Sequence, residues 1–390
     1  MSGVSKSLLK DKNMLVIFGI TLSAVMGVSS IAPALPSIAR ELVISTEQIG
    51  LLITVFTLPG IFLTPVLGVL ADRTGRKRIL IPSLILFGIS GVLCGFSTNF
   101  NQLLWLRFLQ GTGAAALGTL NVTLIGDLFS GNRRATAMGY NGGVLSVGTA
   151  SYPIVGGALA LIGWNYPFFL SALAIPVGIY AIFALKTVPL EKGSNLTSYF
   201  GNIFNALKSW KVAGLFISIF LTFFILYGGY ITFFPILLDS KFGISSFVIG
   251  VFLSSTSIIT GITSLQLGRL TKRFAEQGLI LTGSVLYFLI FLAIPLIDSL
   301  YLLLIPIAFF GIAQGLNIPS ILNLLTSQVP SDFRAAFLSV NWMVIRCGQT
   351  LAPFLLGIVY VWGGVDGTFY MTSFAALLFI VVAAMLYKWK

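Results

Sequence analysis

Histidine is absent from the 390 residues, cysteine occurs twice, and 11 acidic side chains face 23 lysines and arginines. Without histidine the chain lacks the commonest general base and metal ligand. Cys94 and Cys347 stand alone in apolar stretches, a spacing that argues against a disulfide framework or a thiolate metal site. Charge of either sign is scarce. It makes up 9% of the residues, where a soluble domain carries about 25%, too little to cover a water-facing surface of this size. What is abundant is hydrocarbon, at 57% of the residues. Such a chain belongs in a bilayer. Its net charge of +12 does not point to nucleic acid, because the cations follow membrane topology.

A bilayer is crossed by about 20 apolar residues in a helix. The sequence divides into twelve such runs: 14–39, 46–71, 79–96, 102–128, 136–161, 167–187, 211–239, 246–269, 278–297, 301–327, 335–361 and 368–387. The first follows Lys6, Lys10 and Lys12 but is too long for a signal-peptide core and lacks a small-residue cleavage site. With both termini cytoplasmic, Arg40 and Lys241 fall outside, and Arg107 and Arg346 fall within spans. Every other Lys and Arg is then inside, as the positive-inside rule requires. The organisation expected is a six-helix bundle over 1–187, a cytoplasmic linker over 188–210 and a second six-helix bundle over 211–390. In the linker, Tyr199, Phe200, Ile203, Phe204, Leu207 and Trp210 recur at helical spacing beside Lys208 and Lys211. That pattern suits a helix lying on the inner membrane surface, with an early start of the seventh span as the alternative.

A shift of 200 residues superimposes Gly50 on Gly250, Gly68 on Gly268, Arg73 on Arg273, Gly111 on Gly311, Asn141 on Asn341 and Pro153 on Pro353. One offset acting through both turns and helix interiors marks the halves as duplicates that run the same way through the membrane. Parallel repeats of this kind are a transporter architecture with its site between the halves.

The loop "GVLADRTGRKRIL" (68–80) concentrates charge between the second and third spans. Its cations obey the positive-inside rule, and Gly75 permits a tight turn. The loop also resembles the signature G-x-x-x-D-R-x-G-R-[RK] of the major facilitator superfamily, matched by Gly68, Asp72, Arg73, Gly75, Arg76 and Lys77. "RFLQGTGAA" (107–115) is similar to the helix-four motif of its drug:proton antiporters at Arg107 and Gly111. "GTASYPIVGG" (148–157) resembles their helix-five motif at Gly148, Pro153, Gly156 and Gly157, and "PALPSIAREL" (33–42) resembles the end of their first helix. The resemblance spans the whole chain. It implies an all-α membrane protein, twelve helices in two pseudo-repeat halves, the major facilitator fold. It also implies a cytoplasmic latch in which Asp72 meets the start of helix eleven near Phe333–Ala336 and Arg76 pairs with Asp127. That latch is expected to hold the outward-facing state and to break on opening inward.

Two positions depart from the family pattern. Ser29 stands where many drug antiporters carry a helix-one acid, and no Asp or Glu lies deep in any span; Asp72 and Asp127 are the remaining proton carriers. Tyr152 replaces the glycine before Pro153, either adding bulk in a packed seam or projecting into the cavity. Arg107, near the outer end of its span, is able to snorkel. Arg346 sits near midspan, where a charge costs at least about 2.5–3.5 kcal/mol. Its context R-x-G-Q-x-x-x-P favours a structural donor helped by Gln349, with an anion contact as the second reading. Ser29, Asn121, Ser146, Tyr152, Tyr227, Tyr230, Gln314, Asn317, Asn341, Trp342, Arg346 and Gln349 are the candidate cavity residues. In helix seven, "FFILYGGYITFF" reads as an aromatic wall with a flexible Gly228–Gly229 joint.

Function follows from these readings as an expectation. The leading one is a secondary transporter that exports amphipathic, drug-like molecules by alternating access. The alternative is a carrier or facilitator for a polar or anionic metabolite or lipid, without strong proton coupling. A membrane enzyme lacks the histidine, carboxylate pair or cysteine cluster that it needs. No cofactor, metal or nucleic acid is expected. The expected setting is a monomer in the plasma or inner membrane, in contact with lipid, with protons an open question as coupling ion.

Overall fold

The computed structural model describes residues 8–186, 209–328 and 334–388. Among them all regular structure is helical, as hydrocarbon demands of any chain that does not close into a barrel. The surface-lying helix expected over 188–210 falls, but for its last two residues, outside the described residues.

The membrane-crossing helices are α1 (Lys12–Glu41), α2 (Thr46–Thr74), α3 (Arg76–Cys94), α4 (Phe100–Leu128), α5 (Gly131–Ala160), α6 (Tyr166–Ala184), α7 (Trp210–Phe242), α8 (Ser246–Leu270), α9 (Glu276–Leu296), α10 (Leu304–Ser327) and α11 (Arg334–Lys388). The expected eleventh and twelfth spans are joined in α11, which is 55 residues long. A straight helix of that length reaches about 80 Å, far beyond a bilayer core of about 30 Å. It reverses at Gly364, whose φ of 62° and ψ of −161° no helix accommodates. A methyl built on Gly367 would lie 3.7 Å from the Val359 side chain, a contact that only a fold-back allows over eight residues. Twelve crossings are therefore present among the described residues.

Turn chemistry agrees with the sequence elsewhere. Asp11 and Asn99 cap α1 and α4 by accepting from the backbone N–H of Asn13 and Gln102. Gly75 takes φ 105° in the charged turn, and Gly243 ends α7 in the left-handed conformation.

Each half has its own apolar core. One is built on Phe56, Phe87, Leu117 and Leu120, the other on Tyr230, Phe291, Phe310 and Phe379. The duplication is visible in the contacts between them. A methyl on Gly50 would meet Pro353 O at 2.7 Å, and one on Gly250, 200 residues on, would meet Pro153 O at 2.2 Å. Within the halves, Gly111 approaches Phe56 O and Gly311 approaches Thr256 O. Thr64 donates to Ala115 O just as Ser264 donates to Gly315 O.

The halves do not meet evenly. At the end away from the basic loops, α5 presses on α8 and α2 on α11 through Gly157 against Ser246 O and Gly357 against Glu47 O. There Arg40 binds Asp239 across the halves at 2.6 Å, and the Ser37 and Ser246 hydroxyls lie 3.1 Å apart. Toward the basic loops, Gly139, Gly142, Gly143 and Gly268 have nothing within 4 Å of an added methyl. One end is sealed, and the cleft between the halves opens at the other.

Candidate functional site

The cleft narrows at midspan, where α2, α7 and α11 converge. Thr54 donates to Thr350 O at 3.1 Å and Thr350 donates to Thr57 at 2.8 Å, bonding α2 to α11. One turn further along, Arg346 lies against Gly60 of the opposite half, where an added methyl would sit 2.9 Å from its Cδ and Nε. Its Nη1 donates to Gln349 at 3.0 Å. Tyr227 is within electrostatic range of Arg346 and packs on the core of the first half. Trp342, one turn before Arg346, covers Gly118 of α4. Ser146 borders the same cleft on α5, exposed and 3.9 Å from a methyl on Gly261.

The aromatic stretch of α7 takes a form that its sequence does not announce. Leu226–Phe233 is π-helical, a wider winding that recurs at functional sites. Thr232 donates to Tyr227 O at 2.6 Å. The expected flexible joint is absent: Gly228 is wedged against Leu356 and Ala352, and Gly229 against Phe291 and Thr372. Both glycines serve close approach.

Other candidates lie away from the cleft. Asn121 bonds Ile17 O and Thr21, and accepts from Asn141 at 2.7 Å, stitching α1, α4 and α5 inside the first half. Tyr230 belongs to the core of the second half, bonded to Thr256 at 2.6 Å and stacked on Phe234. The ring of Tyr152 is buried and its hydroxyl has no partner among the described residues. Ser29 is half-buried at the end of the first segment of α1.

The two sequence motifs resolve into packing. Gly111 and Gly156 sit where a methyl would fall 2.0 Å from Phe56 O and 1.9 Å from Ser30 O. Gly148 packs against Leu22. Arg107 does not snorkel: it is 1% exposed. It donates to Leu52 O, Gly27 O and Gln110, and its guanidinium lies 4.1 Å from the centre of the Phe56 ring. Acceptors from three helices hold it more firmly than the distant membrane surface would.

At the basic end, Arg76 binds Asp127 at 3.0 Å and also pairs with Asp72. The expected partner of Asp72 near 333–336 falls outside the residues whose side chains are described. Arg73 is exposed in the last turn of α2, and Gly68 lies within the same helix. The pair is intact in this structure, with the cleft open at this end. Both residues belong to the first half, so the halves separate without pulling them apart.

One buried cluster joins two of the sequence candidates, Gln314 and Asn317, to two residues that the sequence did not single out, Tyr287 and Ser320. Both polar atoms of Gln314 and Ser320 Oγ are sealed from solvent with no hydrogen-bond partner among the described residues. Asn341 Oδ1 shares that condition. The buried Tyr287 and Asn317 are in hydrogen-bonding reach of each other. At 200 residues earlier stand Phe87, Ala114, Leu117 and Leu120, all buried and apolar. A buried unpaired group costs about 1–3 kcal/mol. Ser320→Ala, which removes a buried unpaired hydroxyl, is expected to stabilise the protein by about 1 kcal/mol. A higher thermal unfolding midpoint in detergent, followed by tryptophan fluorescence, checks this; an unchanged or lower one contradicts it.

The arrangement is thus two duplicated bundles around a polar cleft open at one end. The family model of the Major Facilitator Superfamily matches residues 17–297 and 215–390. The chain belongs to the major facilitator superfamily. It is a multi-pass membrane transporter of small molecules rather than an enzyme. The chain is 28% identical over 341 residues to the bacillibactin exporter of Bacillus subtilis (strain 168), covering 82% of this chain and 83% of that protein. It is 26% identical to multidrug resistance protein 2 of the same organism, over 94% and 92% of the two chains. A solved bacterial homolog of the human lysosomal transporter Spinster, in an inward-facing and unoccupied conformation, shares the fold. Its TM-score is 0.79 at 19% identity, over 99% of this chain and 97% of that one.

Proposed function

We propose that this major facilitator protein exports amphipathic small molecules across the cell membrane by alternating access. The cleft, sealed at one end by reciprocal glycine–carbonyl contacts and open at the other, carries the reading. Positive-inside topology makes the open end cytoplasmic, with both termini on that side. Substrate enters there, the halves rock about the α2–α11 seam, and the seal of Arg40, Asp239, Gly157 and Gly250 parts to release it outside. The exporter and multidrug resistance relatives support outward transport, and a single chain holds the whole cleft, which supports a monomer.

Coupling is the second element of the reading. Intramembrane carboxylates are the usual proton carriers in such machines, and the spans hold none at depth; Ser29 ionises at no relevant pH. The protein therefore couples weakly to protons, with Asp72 and Asp127 at the cytoplasmic edge as the available carriers. Flux into inside-out proteoliposomes is expected to fall by less than about half when an imposed pH gradient is dissipated, since no buried carboxylate must cycle. Complete collapse, with recovery when the gradient is restored, would overturn weak coupling and direct attention to Asp127.

A further inference from the structure

Two guanidinium groups are buried in the spans, and their surroundings differ. Arg107 donates through Nε and Nη1 to two backbone carbonyls and Gln110, with Phe56 beneath it. Arg346 is 8% exposed and has a single hydrogen bond among the described residues, Nη1 to Gln349. Among the described residues its Nε and Nη2 have no hydrogen bond, yet they are not sealed as the polar atoms of Gln314 are; they border the cleft. No described carboxylate lies within ion-pair distance of it. Tyr227, on the π-helical turn and within electrostatic range of Arg346, also carries a hydroxyl with no described hydrogen-bond partner.

We propose that Arg346, with Tyr227 and Gln349, is the binding site for an acidic group of the transported molecule, so that the substrates are amphipathic carboxylates or comparable anions. The inference rests on the reading of the cleft as the substrate site. The planar fork of a guanidinium matches a carboxylate through two parallel hydrogen bonds, and Nε and Nη2 form the free edge of that fork. A lone cation at midspan is compensated by water or by an anion, and an anionic substrate displaces that water with its own charge. The spans offer no acid to an organic cation, which removes the opposite preference. Gly60 leaves the room: any side chain there would push the arginine arm off its position.

The probe is dansyl-labelled undecanoic acid, compared with its methyl ester, bound to the purified full-length chain in detergent and followed by dansyl fluorescence. The wild-type protein is expected to bind the acid about tenfold more tightly than the ester, the value of one charge-assisted fork. Arg346→Gln is expected to abolish that preference, and Arg346→Lys to keep part of it. Gly60→Ala leaves the charge in place and displaces the arm, so it should also cut the preference; it keeps the test open if Arg346→Gln does not fold. Equal binding of acid and ester by the wild type overturns the proposal, as does a preference untouched by both substitutions. Outward flux in proteoliposomes separates this inference from the reading beneath it. Acid preference without outward flux sinks export alone, and outward flux of the ester without acid preference sinks the anion site alone.

Discussion

Replacing Gly143 by leucine is expected to abolish transport while leaving the fold as stable as before. In the open arrangement, a methyl added at 139, 142 or 143 meets nothing within 4 Å, so the substitution starts into open space. It even removes a glycine from a helix interior, a gain of about 0.5–1 kcal/mol. Alternating access, however, must bring the cytoplasmic halves of α5 and α8 together as closely as their outer halves are now. At the sealed end that closeness leaves 2.3 Å between a methyl on Gly157 and Ser246 O, room for hydrogen only. A leucine in the corresponding inner seam blocks closure. Flux in proteoliposomes reduced at least about tenfold, with an unfolding midpoint equal to or above the wild type, is the expected result. Normal flux in the Gly143→Leu protein would show that the inner seam never closes at this height, and alternating access in this form would be wrong.

The second large effect is on folding. Arg107→Ala removes the donor for Leu52 O, Gly27 O and Gln110 and takes a cation from the face of Phe56. Three acceptors lose a buried partner, at about 1–3 kcal/mol each, and Gln110 keeps only its bond to Ser171. A loss of at least about 3 kcal/mol is expected, a large share of the stability of an ordinary domain. Arg107→Lys should recover little, because one ammonium cannot reach carbonyls set on separate helices by a planar fork. The fraction of monodisperse protein in detergent by size-exclusion chromatography measures this. An Arg107→Ala protein that elutes and melts like the wild type would remove Arg107 from the framework.

The spans were legible because hydrocarbon leaves few choices: a run of about 20 apolar residues between charged turns has one low-energy form in a bilayer. The end of α2 and the Gly75 turn fall where charge and glycine place them. The 200-residue offset, read as duplication, reappears as matched atomic contacts at Gly50 and Gly250. Much of the cleft was not legible. A polar residue at midspan satisfies itself equally well against its own bundle, as Asn121 and Tyr230 do, or across the cleft, as Thr350 does, and the helix's rotation decides which. That rotation is weakly encoded when every face of a helix is apolar. The π-helical winding of α7 adds to the difficulty, since it shifts the face of each later residue. The state of the cleft is likewise silent in a single sequence.

The crossed seal has a consequence for how such a chain can change over generations. Gly50 fits under Pro353, and Gly250 fits under Pro153. Each bundle thus supplies both the notch and the ridge, and each notch is filled by the other bundle's ridge. Neither half is free to drift by itself, because a bulkier residue at one glycine has to be answered across the molecule rather than nearby. A half borrowed from a distant transporter would have to fit at two separate places at once. The inheritance of the two halves is therefore tied together by four residues, Gly50, Pro353, Gly250 and Pro153, at the seam between them.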